Sequence, residues 1–255
     1  MFDSHCHLTD IDDPGGVLER SVGEGVRSML TCGYDAASNQ AVIELVSRYP
    51  SLPFCVGLHP WFADQDVEPV LALIERHRPT AIGEAGLDLW GDPPVHPLAR
   101  QMQVLEAQLD LAARLDLPVT LHSRKAVPEM LAVLRRHPGV RGALHAFSGS
   151  YEQAKAFLDL GMYVGIGGAV TRSRAKRLRR CAVALPVDRI LLETDAPAIG
   201  MEAVEPPHVR PWHLRYVLHA LAELRGMAVD ELEARTDENA VRLFGEKVLR
   251  HANGP

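Results

Sequence analysis

Asp3-Ser4-His5-Cys6-His7 opens the chain, directly behind Phe2. His5 and His7 stand at i and i+2. On a strand both imidazoles therefore point to one face, and Cys6 to the other. A lone histidine fits a satisfied core position. Two imidazoles buried together need partners, because burying unpaired polar groups is costly, and the pair reads as a metal role. Four later segments repeat the pattern of an apolar run that ends in His or acid: Gly83-Glu84-Ala85-Gly86-Leu87-Asp88, Leu121-His122-Ser123-Arg124, Leu144-His145-Ala146-Phe147, and Leu192-Glu193-Thr194-Asp195-Ala196-Pro197. A metal needs ligands from several segments converging on one point. The carboxyl ends of parallel barrel strands supply that convergence.

Strand signals alternate with helix signals along the chain. Candidate strands are Phe2–Cys6, Ser28–Cys32, Phe54–Leu58, Ala81–Glu84, Pro118–His122, Gly142–His145, Tyr163–Ile166 and Arg189–Glu193. Between most of them lie amphipathic stretches. Met102–Leu115 places Leu105, Leu109, Ala112 and Ala113 on one face, and Glu152–Leu160 and Leu214–Arg225 behave likewise. The tail, residues 230–255, reads as short helices ending in a frayed terminus. The expected fold is α/β: a single (β/α)₈ TIM barrel over residues 1–255, with the metal site at the carboxyl ends of its strands. The length of 255 residues and the 47% hydrophobic content suit one large core.

The net charge is −6. That disfavours a globally basic nucleic-acid binder, but leaves room for a nuclease that grips its substrate with metals and a local basic patch. The first residues carry no basic start and apolar run, so no secretory signal is expected. No apolar stretch reaches the roughly 18 residues of a membrane span. Cys6, Cys32, Cys55 and Cys181 show no CxxC spacing and are expected as reduced, buried thiols of a cytoplasmic protein.

Glu84 stands between Gly83 and Gly86, which let the backbone turn tightly near a ligand. A carboxylate there can bridge two cations; the alternative is a solvated surface Glu. Asp88 reads as a cap of the following segment or a weaker metal contact. His122 and His145 each close an apolar strand and singly also fit satisfied core histidines. With His5, His7 and Glu84 they form a mixed nitrogen–oxygen set suited to Zn²⁺ or Mn²⁺, and to Mg²⁺ through the carboxylates. Asp195 can bind metal and take a proton from water, or serve as a helix cap or ion-pair partner. His77, His96, His137 and His251 fall in predicted loops or helices, as bystanders.

One basic run stands out, Thr171-Arg172-Ser173-Arg174-Ala175-Lys176-Arg177-Leu178-Arg179-Arg180. Ala175, Leu178, Ala182 and Leu185 keep helical spacing, so Lys176, Arg177, Arg179 and Arg180 form the solvated face of a seventh helix. Arg172 and Arg174 precede that helix. They are expected to overlook the metals, with Arg174 foremost in pairing with a phosphate flanking the scissile bond.

Taken in order, these motifs resemble the TatD family of metal-dependent hydrolases, within the amidohydrolase-like barrels. The carrying residues are 3–7, Gly57-Leu58-His59-Pro60, 83–88, 121–124, His145-Ala146-Phe147-Ser148-Gly149-Ser150, 193–197 and Asn239-Ala240-Val241-Arg242-Leu243-Phe244. Gly86–Asp92 and Gly165–Gly168 are most similar to the YjjV-type branch. The resemblance implies that His5, His7, Glu84 and Asp195 hold one divalent cation, and that Glu84 bridges to a second held by His122 and His145. It implies that Asp195 orients and deprotonates the attacking water. It puts His59 beside the site, in contact with substrate or with a ligand; a turn histidine packed on Pro60 and Trp61 is the other reading. The implied activity is phosphodiester hydrolysis of nucleic acid, as by a 3′-5′ deoxyribonuclease. The competing readings are a metallohydrolase of an amide or ester such as a misacylated tRNA, and a non-enzymatic binding barrel. No obligatory protein partner is evident. Two departures stand out: Leu89-Trp90 replaces an aromatic pair frequent in family nucleases, and Gly200–Pro207 is acidic where they often carry a basic run.

Overall fold

The computed structural model describes residues 1–249 and has the alternating architecture that the sequence predicts. The strands are β1 (Phe2–Cys6), β2 (Ser28–Cys32), β3 (Phe54–Val56), β4 (Ala81–Asp88), β5 (Val119–Arg124), β6 (Gly142–Leu144), β7 (Tyr163–Ile166) and β8 (Ile190–Leu192). They pair in parallel in sequence order. Asp195 N donates to His5 O at 2.9 Å and His7 N to Ala196 O at 2.7 Å, which joins the exit of β8 to β1 and draws the ring together. The crossover helices are α1 (Pro14–Gly23), α2 (Ala36–Arg48), α3 (Glu68–His77), α4 (Leu98–Leu115), α5 (Val127–Arg136), α6 (Tyr151–Leu158) and α7 (Lys176–Ala184); α8 (Leu214–Arg225) and α9 (Val229–Phe244) follow the last strand.

Local chemistry sets the helix starts. Capping boxes, Asp35 with Ser38 and Ser150 with Gln153, satisfy the free N–H groups that open α2 and α6. On α4 the buried face is Val104, Leu105, Gln108, Leu109, Leu111 and Ala112, so Ala113, expected on that face, is exposed. The helix also starts four residues before the predicted Met102.

The strand ends differ from expectation where the site lies. β4 runs through Asp88 instead of stopping at Glu84, and β5 runs through Arg124. Gly83 and Gly86 are not turn residues but strand positions with φ of +139° and +159°. A Cβ on Gly86 would lie 2.0 Å from His122 O, so only glycine lets β4 and β5 pair this closely. Conversely β6 stops at Leu144 and β8 at Leu192. His145 and Asp195 therefore sit on the loops just beyond their strands.

Beneath the site, Phe2, Leu30, Cys32, Cys55, Ala81, Ala143 and Leu191 form a buried cluster covered by Ala240, Leu243 and Val248. The cover comes largely from α9, one 16-residue helix where short helices were expected; residues 250–255 and the bystander His251 lie outside the described residues. All four cysteines are buried and free. Asn239 fastens the cover, since its Nδ2 donates to Val187 O and to Ile190 O, both at 2.8 Å. Replacing Asn239 with Ala leaves two carbonyls without that donor, which costs about 2 kcal/mol. Thermal unfolding should fall by roughly 4–8 °C. Unchanged melting would mean that α9 is held by its apolar contacts alone.

Candidate metal centre

Glu84 is the hub of the barrel mouth. It is buried, and its two oxygens face different nitrogens. Oε2 lies 3.4 Å from His5 Nε2 and 3.6 Å from His7 Nε2, both from β1 and its exit. Oε1 lies 2.7 Å from His145 Nε2, 3.0 Å from His122 Nδ1 and 3.2 Å from His59 Nε2. Asp195 adds Oδ1 on the β1 side, 3.2 Å from His7 Nε2 and 3.8 Å from His5 Nε2. All six candidate ligands meet within one small volume. Three overlapping groups have donor atoms close enough to share an ion: His5–His7–Glu84, His5–His145–Asp195 and His59–Glu84–His122.

The hydrogen bonds behind the rings decide which nitrogen each presents, with tautomers assigned from partners. His7 Nδ1 lies 2.9 Å from Cys32 O, an acceptor only, so Nδ1 carries the proton and Nε2 turns a lone pair to the site. His122 Nε2 lies 3.0 Å from Asp88 Oδ2, so its Nδ1 lone pair faces Glu84 and His145. Such a carboxylate behind an imidazole raises its basicity and fixes its rotation. His5 Nδ1 rests on Thr120 Oγ1 at 3.1 Å, leaving Nε2 for the site. His59 is the opposite case. Its Nδ1 accepts from Trp61 N at 3.1 Å, so Nε2 bears hydrogen and donates towards Glu84 Oε1. It is a donor beside the cluster, not a lone pair within it.

The cluster thus sets acceptor against acceptor: imidazole lone pairs of His7 and His122 against carboxylate oxygens. Only a proton or a cation between them makes this stable. Without a cation, protons take that place. Burial pushes His7 and His145 down, but Asp195 outweighs it for His7, raised to about 9, and Glu84 for His145, raised to about 10. Burial also raises Asp195, yet His7 beside it and the surrounding imidazoles bring it to about 2. Asp195 Oδ1 and His145 Nδ1 are buried with no hydrogen-bond partner. The donor set, mixed nitrogen and oxygen with Asp195 Oδ1 unsatisfied beside His5 and His7, fits a divalent cation.

Asp3 and Glu193, to which the sequence assigns no role, support this centre together with Asp88. Asp3, two positions before His5, accepts from Thr194 N at 2.9 Å and Thr194 Oγ1 at 2.5 Å, and so anchors the segment that carries Asp195. Burial raises Asp3 to about 7. Glu193 accepts from Ala146 N, holding the residue after His145, whose φ is +46°. Gly165 makes room for it, since a Cβ there would lie 2.2 Å from Glu193 Oε2. Asp88, expected as a cap, does accept from Trp90 N at 2.8 Å, but it also orients His122.

The cluster floors a cavity of about 700 Å³, walled by Tyr34, His59, Trp61, Phe62, Arg124 and Ile199 among others. Arg124 is the arginine of that wall. Alternation from His122 to i+2 is the sequence signal for it. Arg172 and Arg174 do not line the cavity: Arg174 is exposed ahead of α7, and Arg172 is half-buried against Gly200. Arg177, expected only as solvated surface, donates to O of Ser148, a lining residue. His137 is remote, bonded to Val133 O and Asp110.

Comparison with known proteins gives the family. A metal-dependent hydrolase of Escherichia coli K12, YjjV, is 36% identical over 96% of this chain and 97% of its own. A 3′-5′ ssDNA/RNA exonuclease TatD of Klebsiella pneumoniae is 35% identical over 96% and 98%. The crystal structure of E. coli YjjV, a TatD homologue, superposes with a TM-score of 0.88 at 35% identity, covering 96% of this chain and 97% of that one. The family described as TatD related DNase matches residues 2–245, and the chain belongs to this family of metal-dependent hydrolases.

Proposed function

We propose that this chain is a phosphodiesterase that removes nucleotides from the 3′ end of a nucleic acid, working with two divalent cations. His5, His7, Glu84 and Asp195 would hold one, and Glu84, His122 and His145 the other. The observation that carries the reading is Glu84, a single carboxylate with one oxygen towards the His5–His7 pair and the other towards the His122–His145 pair. Bound there, divalent cations lower the pKa of water and polarise a phosphoryl oxygen. The chain's own groups do the rest. Asp195, ionised across the neutral range, accepts the proton of the attacking water. His59 Nε2–H, beside Glu84, donates to an anionic substrate oxygen. Arg124, in the cavity wall, pairs with a phosphate. Arg174, with Arg172 behind it, meets a phosphate farther from the scissile bond. The exonuclease named among the relatives supports the substrate class. No described helix is long and apolar enough to cross a membrane.

The test is a metal-dependent activity screen on single-stranded DNA, duplex DNA, RNA, a small phosphodiester and aminoacyl-tRNA. Release of 3′ nucleotides from single strands is the expected result. Arg124→Ala should raise KM for an oligonucleotide by about 10- to 100-fold, as loss of a charge-assisted phosphate contact costs. Arg174→Ala should raise it less, and both should flatten its dependence on salt. Turnover confined to aminoacyl-tRNA would favour the ester-hydrolase reading instead.

A further inference from the structure

The longest strands of the barrel form a rigid arm beside the cavity. β4 continues four residues past Glu84 and pairs with β5 as far as Asp88 with Arg124. At about 3.3 Å per residue, the tip stands roughly 13 Å beyond the level of the metal centre. Leu89 N bonds Arg124 O at 2.9 Å, one step farther still. Gln101 of α4 clamps the tip by accepting from Asp88 N and donating to Asp88 O, at 2.8 and 2.9 Å.

Two tryptophans hang from this arm by one carboxylate. Trp61 Nε1 donates to Asp88 Oδ2 and Trp90 N to Asp88 Oδ1, both at 2.8 Å. Only the Trp61 indole is tied by its own hydrogen bond, Trp90 being held through its backbone, and the two residues are 46% and 54% exposed. Trp61 lines the cavity. Cations flank Trp90: the Arg124 guanidinium lies 4.3 Å from its ring centre and Lys125 Nζ 5.7 Å. Lys125 is held there by a left-handed backbone, φ +58°. Arg124 is shared, since it both flanks Trp90 and walls the cavity.

We propose that Trp61 and Trp90 are a stacking platform for unpaired nucleobases, with Arg124 and Lys125 meeting the phosphates, so that a single strand reaches the metal centre along the β4–β5 arm. This rests on the nuclease reading above and adds the path of the strand and the residues that would hold its bases. Planar bases stack on aromatic faces without regard to sequence, while cations alongside track the backbone. Aromatic faces alternating with cations suit that ligand, whereas a small uncharged ester would use neither. A duplex keeps its bases stacked on one another and offers nothing to Trp90. The Trp61 ring, fixed by Asp88, also loses little freedom on binding.

The experiment compares Trp90→Ala, Trp90→Phe and wild type, all metal-loaded, on single-stranded oligonucleotides of two and twelve nucleotides. Stacking losses predict a KM for the longer strand about tenfold higher in Trp90→Ala. Trp90→Phe should recover most of that loss, and the dinucleotide, too short to reach the arm tip, should show much the smaller effect. Equal rises at both lengths, or none on the longer strand, would overturn the platform while leaving the nuclease reading intact. A wild type that cuts a small diester but neither strand would overturn the nuclease reading and the platform with it.

Discussion

Glu84→Gln should remove at least one cation and nearly all turnover, with the barrel intact. The substitution keeps the side chain's shape and one oxygen acceptor, but removes the charge that faces five imidazoles. That charge is strongly held: burial raises the Glu84 carboxyl, but His145 and His59 and the hydrogen bonds around it keep it well below the ordinary carboxylate range. An amide would also aim an N–H at either the His5–His7 or the His122–His145 lone pairs, so one side of the cluster must lose. A loss of at least about a thousandfold in kcat, near 4 kcal/mol, follows if a cation and its water are displaced. Metal analysis of the purified variant, beside circular dichroism and kinetics, checks this. Two equivalents of metal in an active Glu84→Gln protein would sink the role of Glu84 as the bridge between two cations.

The same chemistry separates ligands from bystanders. His145→Ala should weaken metal binding and leave Glu84 without the nearest of its nitrogens. His137→Ala, on the far end of α5, should change neither metal content nor rate.

What the sequence made legible follows from period. His5 on β1 and His7 at its exit keep the strand's alternation, and that alone places them together on the inner face. The same rule reaches Asp3 and Arg124, two positions from a histidine each, yet a lone Asp or Arg carries little signal until a partner is known. Asp88 was obscured by Gly83 and Gly86. Glycine in a strand ordinarily marks a turn or bulge; here the β4–β5 register shifts between Ile82 and Ala85, and both glycines also admit the close approach of β5 backbone to β4. No one-dimensional pattern shows which neighbour comes that near. Glu193 depends on Gly165 across a strand pair, and the Trp61–Asp88–Trp90 bridge joins residues from two loops. The tail reads as short helices, but it holds one helix, α9, in which the polar Thr236 and Asn239 are buried and bonded, Asn239 to the strand it covers.

Asp195→Asn should lower kcat by about 10²- to 10⁴-fold, the range for loss of a positioned proton acceptor, with a much smaller effect on KM. Asn is the informative replacement because Asp195 has φ +51°, a conformation Asn adopts more readily than Ala. The backbone that ties β8 to β1 through Asp195 N and His5 O is thereby kept. The amide oxygen can still face His7, so cation binding should weaken without being lost. Proton acceptance cannot survive, since an amide is not basic near neutrality. Cation content and rate should therefore part company in this variant, whereas in Glu84→Gln they should fall together. If Asp195→Asn kept both cations and more than about a tenth of the wild-type rate, well inside the range for a lost base, another group would have to take the proton. His59 could not be that group while its Nδ1 accepts from Trp61 N and its Nε2 holds the hydrogen.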